Sequence, residues 1–247
     1  MRVIVVKDKA AMGKRAWEIM RENIKGHAHP VLGLATGATP IPLYDEMVKA
    51  NKAGKADFST TVTFNLDEYV GLAPEHDQSY RRFMNKNLFD KININKANTH
   101  VPDGKAKDVP AFCREYEGMI DDVGGVHCQV LGIGSNGHIG FNEPGSSLAS
   151  RTRMVKLTDN TIRDNARFFA GRKDVPTKAI TMGIGTVLEA DSVILLASGA
   201  NKVDAVKKSL EGPITCMVPA SALQLHGNVT FIVTEDAASG LTRMVEK

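Results

Sequence analysis

Short apolar runs alternate with amphipathic stretches of helical length along the whole chain. The main runs, rich in β-branched residues, predict buried strands at 2–6, 30–35, 61–66, 126–133, 192–197 and 229–233, and weaker patterns predict strands at 151–157 and 178–182. The stretches between them carry apolar residues at helical spacing and predict helices. Such alternation is typical of an α/β fold. We therefore predict a mainly parallel central sheet with helices on both faces, in a single domain over residues 1–247.

Two junctions between a strand and a helix are built from small residues and are candidate anion sites. The first follows the strand at 30–35 and consists of Thr36, Gly37, Ala38 and Thr39. Thr39 is a good N-cap, and Pro40 fits the first position of the next helix. The second junction, 198–202, ends at Lys202. Backbone N–H groups at a helix start favour phosphate, although an ordinary turn in which Gly37 only permits the bend fits the pattern equally well.

Two adjacent carboxylates, Asp67 and Glu68, follow the strand at 61–66. In an open α/β sheet the carboxyl ends of the strands face the ligand crevice. Partial burial raises the pKa of a carboxylate towards the range of a general base, which makes Asp67 a candidate for that role. The alternative is that one of the two acids caps the next short helix or pairs with a surface cation.

The strand at 126–133 breaks into a glycine-rich loop that contains His138 and Glu143. Histidine can give or take a proton near neutral pH, and a neighbouring carboxylate fixes its tautomer. The alternative is a structural histidine held by backbone carbonyls. Asn136 nearby and Asp67 at another strand end favour proton transfer.

The same loop does not have the features of a cofactor site. Residues 132–137 match GxGxxG, but Pro144 follows where a dinucleotide site needs a helix. His138 has no second metal-type ligand at helical spacing. We therefore expect neither a dinucleotide nor a metal.

Composition and charge favour a globular protein with a small anionic substrate over a nucleic-acid-binding or membrane protein. The chain of 247 residues is 43% hydrophobic and 24% charged, as in an ordinary globular protein. Its net charge of +3 comes from scattered basic residues, which does not favour nucleic-acid binding but suits a small anionic substrate. Three widely spaced cysteines, no signal peptide and no apolar run of membrane length predict a cytoplasmic protein that does not enter a membrane.

Four segments together resemble the glucosamine-6-phosphate deaminase family: TGATP at 36–40, NLDEYV at 65–70, GIGSNGHIGFNEP at 132–144 and SRTR at 150–153. The match is in order and covers nearly the whole chain. The resemblance implies a modified Rossmann fold of the NagB/ribose-phosphate-isomerase-like type. It also implies a sugar-phosphate substrate: glucosamine 6-phosphate and water would give fructose 6-phosphate and ammonia in amino sugar catabolism, without a cofactor.

The resemblance also implies roles for single residues. Asp67 would move a proton from C2 to C1, His138 would open the sugar ring, and Glu143 would orient His138. Asn136 completes this group, but many members have Asp there, so we expect Glu143 to carry more of the charge effect. The implied phosphate ligands are the turn 36–39, Arg167 and Lys202, and a lid is predicted over 157–176.

Regulation and two alternative functions stay open. Hexameric members are activated by N-acetylglucosamine 6-phosphate, but here Val155 and Lys156 replace their Lys and Thr, and their longer tail is missing. We therefore expect no such activation and favour a monomer over a homo-oligomer.

The alternatives to the deaminase function are a 6-phosphogluconolactonase-like hydrolase of the same fold and a non-catalytic sugar-phosphate-binding module.

Overall fold

The computed structural model describes residues 1–166, 169 and 171–242. Its strands are β1 Arg2–Val6, β2 Val31–Leu34, β3 Val62–Asn65, β4 Asp67–Tyr69, β5 Thr99–His100, β6 Cys128–Leu131, β7 Arg153–Lys156, β8 Lys178–Thr181, β9 Val193–Ala197 and β10 Val229–Thr234. Its helices are α1 Lys9–Asn23, α2 Ile41–Lys52, α3 Tyr80–Asn87, α4 Val109–Asp122, α5 Asp159–Asn165, α6 Ile184–Leu188, α7 Val203–Glu211 and α8 Glu235–Ala238.

Seven strands form a parallel sheet in the order β1-β10-β9-β6-β2-β3-β5. The inner strands β2, β6, β9 and β10 are buried at every position. Burial on both faces explains why these strands appear in the sequence as continuous apolar runs. The predicted α/β fold, with a mainly parallel central sheet and helices on both faces, is confirmed.

A second sheet was not predicted. Strands β4, β8 and β7 pair antiparallel in that order, so the runs at 151–157 and 178–182 do not extend the main sheet. Positions along β7 alternate between half-buried and exposed, which suits an antiparallel sheet with one wet face. This small sheet places Asp67 opposite Thr181.

The predicted start of α2 is wrong by a short distance. The helix begins at Ile41, Pro40 occupies the N-cap position, and no side chain makes a capping hydrogen bond. Gly37 has a φ of +88°, and the chain bends from 37 to 40 before the helix begins. Thr39 therefore lies in the bend and does not cap the helix.

Candidate active site

A cavity of about 470 Å³ opens at the carboxyl edge of the parallel sheet. This volume is within the range of small-molecule sites. Parallel strands bring their carboxyl ends to one edge, so segments far apart in the chain meet here. The lining residues are Ala35, Thr36, Gly37, Ala38, Thr39, Leu66, Asp67, Tyr80, Gly132, Ile133, Gly134, Ser135, His138, Gly140, Phe141, Thr161, Asn201 and Lys202.

Asp67 is a buried acid in the wall of this cavity. It is only 6% exposed, and no hydrogen bond to its carboxylate is found among the described residues. Burial, with a further contribution from neighbouring Glu68, raises its pKa to about 8. The loop can approach Asp67 because residue 140 is glycine: an added Cβ there would lie 2.9 Å from Oγ1 of Thr181 and 3.5 Å from Oδ2 of Asp67.

Glu68 has a different task from its neighbour. Its carboxylate accepts hydrogen bonds from the backbone N–H groups of Tyr80 (3.0 Å) and Arg81 (3.1 Å) and from Oγ of Ser79 (2.8 Å). These donors belong to the start of α3, so Glu68 caps that helix. The helix-cap interpretation therefore holds for Glu68, whereas Asp67 faces the cavity.

The glycine loop places His138 beside Glu143. Nδ1 of His138 lies 3.5 Å from Oε2 of Glu143, and the two side chains are 27% and 12% exposed. Nδ2 of Asn136 donates to the same oxygen at 2.7 Å, and Oδ1 of Asn136 accepts the backbone N–H of His138 at 3.2 Å. Only glycine fits at position 134, because an added Cβ would lie 2.2 Å from Cε1 of His138.

Glu143 stays ionised at any working pH. Burial opposes its ionisation, but the interaction with His138 and the hydrogen bonds from Thr161 and Asn136 outweigh burial and lower the pKa of Glu143 to about 2. An ionised carboxylate next to an imidazole stabilises the protonated ring and holds its orientation. The pair can therefore deliver a proton to an oxygen atom in the cavity.

Both candidate anion junctions open on the same cavity. The turn 36–39 precedes α2, and Lys202 ends a 3-10 turn, Ala200–Lys202, directly before α7. The N–H groups at a helix start and a lysine suit a phosphate. Arg167, the other predicted phosphate ligand, lies outside the described residues.

Several residues of the cavity were not singled out from the sequence as site residues. Ser135, Tyr80, Phe141 and Thr161 all line it. Tyr80 and Phe141 stack nearly parallel, with ring centroids 6.1 Å apart. Thr158 caps α5 by accepting the N–H of Thr161, and nothing in that local pattern indicates that Thr161 reaches Glu143.

One His/Asp cluster among the described residues has a spacing close to that of a metal site. His27, His127 and Asp191 lie before β2, β6 and β9, at the edge of the sheet opposite the cavity. The N–H of Val31 donates to Nδ1 of His127 at 2.9 Å. A neutral ring that accepts at Nδ1 carries its proton on Nε2, which then cannot bind a metal. We therefore assign no metal to this cluster.

Fold and site together define an α/β protein with a cavity at the carboxyl edge of its sheet that is lined by an acid, a histidine and a lysine. A family model described as glucosamine-6-phosphate isomerases/6-phosphogluconolactonase matches residues 8–232. The chain belongs to this family. Across residues 1–166, 169 and 171–242, no helix has both the length and the apolar character needed to cross a membrane.

Two relatives that align over nearly the full length of this chain carry the same name. Proteins called glucosamine-6-phosphate deaminase from Shewanella loihica and Clostridium perfringens are 52% and 51% identical to this chain. The alignments cover 98% and 96% of this chain, and 90% and 98% of those proteins. A solved structure described as a monomeric glucosamine-6-phosphate deaminase has a TM-score of 0.95 at 42% identity, and the match covers 98% of this chain and 100% of that one.

The match to a more distant solved structure supports the fold of this chain and not its activity. The 6-phosphogluconolactonase from Trypanosoma brucei has a TM-score of 0.79 at 17% identity over 98% of each chain. At that identity the match does not distinguish between the two activities in the family description.

Proposed function

We propose that this chain converts glucosamine 6-phosphate and water into fructose 6-phosphate and ammonia. The observation that carries the proposal is the placement of Asp67 and the His138–Glu143 pair around one cavity, together with two phosphate-type junctions. Relatives about half identical in sequence bear the name of this activity.

The proposed steps begin with the pyranose ring. His138, protonated and held by Glu143, gives a proton to the ring oxygen as the C1–O5 bond breaks, and the hydroxyl on C1 releases its proton to water, which leaves the open aldehyde. Asp67, ionised, then removes the proton from C2 while the oxygen on C1 takes up a proton from water, which gives an enolamine. Asp67 returns its proton to C1, which gives an iminium at C2. Water adds to that carbon and ammonia leaves. The turn 36–39 and Lys202 hold the phosphate of the substrate. This contact positions C1 and C2 next to Asp67, so that binding the phosphate orients the reacting atoms.

One assay separates this function from its alternatives. Purified protein is incubated with glucosamine 6-phosphate, and ammonia and fructose 6-phosphate are measured; hydrolysis of 6-phosphogluconolactone is measured in parallel. We expect the two products in equal amounts and little lactone hydrolysis. Faster lactone hydrolysis would identify a hydrolase, and tight sugar-phosphate binding without turnover would identify a binding module.

Glu143 is expected to matter more than Asn136 for activity. Glu143→Gln removes the charge that supports a protonated His138, and we expect kcat to fall about a hundredfold. Asn136→Ala removes two hydrogen bonds but no charge, and we expect a loss of about threefold to tenfold. Steady-state kinetics on both variants test this, and a larger loss in Asn136→Ala would contradict it.

We also propose a monomer without activation by N-acetylglucosamine 6-phosphate. Val155 and Lys156 stand where activated members carry Lys and Thr, and the structural relative at 42% identity is described as monomeric. We expect a hyperbolic rate curve that the added effector leaves unchanged, and light scattering should give a mass near 26.7 kDa. Sigmoidal kinetics removed by the effector would contradict this.

The remaining proposals concern organisation. We propose that residues 1–247 act as one cytoplasmic domain and that 157–176 serves as a lid. In support of the lid, Thr161 of α5 lines the cavity, and Phe169 packs edge-on against Tyr69 with ring centroids 5.8 Å apart. Slower trypsin cleavage after Arg172 when fructose 6-phosphate is present would support a lid, and unchanged cleavage would count against it.

A further inference from the structure

The two carboxylate oxygens of Glu143 are held by different parts of the chain. Oε2 accepts Nδ2 of Asn136 at 2.7 Å and faces Nδ1 of His138 at 3.5 Å, so this side belongs to the glycine loop. Oε1 accepts the hydroxyl of Thr161 on α5. Thr161 is only 8% exposed and lines the cavity. Glu143 is thus held at one oxygen by Asn136 of its own loop and at the other by Thr161 of α5.

The hydroxyl protons define the direction of these hydrogen bonds. A threonine hydroxyl has one proton to donate, and an ionised Glu143 can only accept, so the proton of Thr161 goes to Oε1. Oγ1 of Thr158 lies 3.0 Å from Oγ1 of Thr161 and 3.3 Å from Oε1 of Glu143. Thr158 is therefore within hydrogen-bond distance of both acceptors, the hydroxyl of Thr161 and the carboxylate of Glu143. Both hydroxyls lie on the Oε1 side of Glu143, whereas Oε2 faces His138.

The hydrogen bond from Thr161 to Oε1 of Glu143 sets the direction of Oε2. A carboxylate held at one oxygen can rotate about its terminal bond, whereas one held at both oxygens keeps its plane. Nδ1 of His138 is buried and has no hydrogen bond of normal length among the described residues. The orientation of this ring towards Glu143 therefore depends on the position of Oε2. We propose that Thr161 is a positioning residue whose hydroxyl holds Glu143 so that Oε2 faces Nδ1 of His138 during the ring-opening step.

A matched pair of substitutions tests the hydroxyl alone. Thr161→Val keeps the branched shape and removes the hydroxyl, whereas Thr161→Ser keeps the hydroxyl. The kinetic consequence rests on the proposed function. We expect Thr161→Val to lower kcat about tenfold with KM within about twofold, and Thr161→Ser to stay within about twofold of the parent protein.

A second measurement does not depend on turnover. The hydrogen bond from Thr161 contributes to the low pKa of Glu143. Carbon-13 NMR of the glutamate carboxyl groups follows this titration, with the Glu143 signal assigned by its loss in Glu143→Gln. We expect the titration to move to higher pH in Thr161→Val and to stay in place in Thr161→Ser.

The outcomes are distinct. Unchanged kcat and an unchanged Glu143 titration in Thr161→Val would overturn the proposal, and so would equal losses in the Val and Ser variants. If the parent protein releases no ammonia, the proposed function fails, and the carboxyl titration still decides the role of Thr161.

Discussion

Replacing Asp67 by Asn is expected to lower kcat for ammonia release at least about a thousandfold. Asn has the same shape but cannot accept the C2 proton, so the step that depends on a base is lost. KM should stay within about threefold, because the junctions proposed to hold the phosphate are unchanged. Steady-state kinetics with glucosamine 6-phosphate measure both constants.

The pH dependence should report the same carboxyl group. With a pKa of about 8, Asp67 is protonated in the free protein at lower pH and cannot act as a base. We therefore expect kcat/KM to rise with pH through neutrality towards about 8 as Asp67 ionises. Stability should change in the opposite direction. The unfolded pKa of Asp is near 3.9, so the folded state holds the extra proton between about 4 and 8, and stability contributed by Asp67 is lost as pH rises through that window. Asp67→Asn should remove this loss.

Glu68 provides the control for Asp67. Glu68→Gln replaces a helix-capping carboxylate by a group with one acceptor, so Tm should fall. The loss of kcat should be at least about tenfold smaller than in Asp67→Asn. Equal losses of kcat in the two variants, or more than about a tenth of the parent kcat remaining in Asp67→Asn, would contradict the roles assigned to these acids.

Replacing Lys202 by Met should raise KM about thirtyfold or more while kcat changes less. A charge-assisted hydrogen bond to phosphate contributes about 1.5–3 kcal/mol, which corresponds to about 10- to 150-fold in affinity. Lys208→Met is the matched control, because Lys208 lies on α7, which begins directly after Lys202, and is exposed to solvent. Steady-state kinetics with glucosamine 6-phosphate compare the two variants.

A second substrate isolates the phosphate. Glucosamine without phosphate should react slowly, and Lys202→Met should leave its kcat/KM unchanged because there is no phosphate to bind. Equal loss on both substrates would contradict the role of Lys202 as a phosphate ligand.

The sequence predicts the main sheet and the meeting of its strand ends well. Buried parallel strands have a strong apolar pattern, and their carboxyl ends must share an edge. Asp67, His138, Lys202 and the turn 36–39 could therefore be expected around one site, and the structure brings them together.

The details that the sequence does not predict depend on tertiary contacts. Nothing in the pair Asp67 and Glu68 shows which acid faces the cavity, because that depends on where α3 begins. The small antiparallel sheet arises from pairing between β4 and β8, which are far apart in the chain. The contact from Thr161 to Glu143 likewise joins two segments whose local patterns are unremarkable.

The most direct test of the account follows the hydrogen at C2. Glucosamine 6-phosphate with deuterium at C2 is converted in ordinary water, and NMR measures the label at C1 of the fructose 6-phosphate formed early in the reaction. Because one carboxylate, Asp67, is proposed to remove and return the proton, the account predicts that part of the deuterium appears at C1. A product with no deuterium at C1, even at the earliest times, would contradict it.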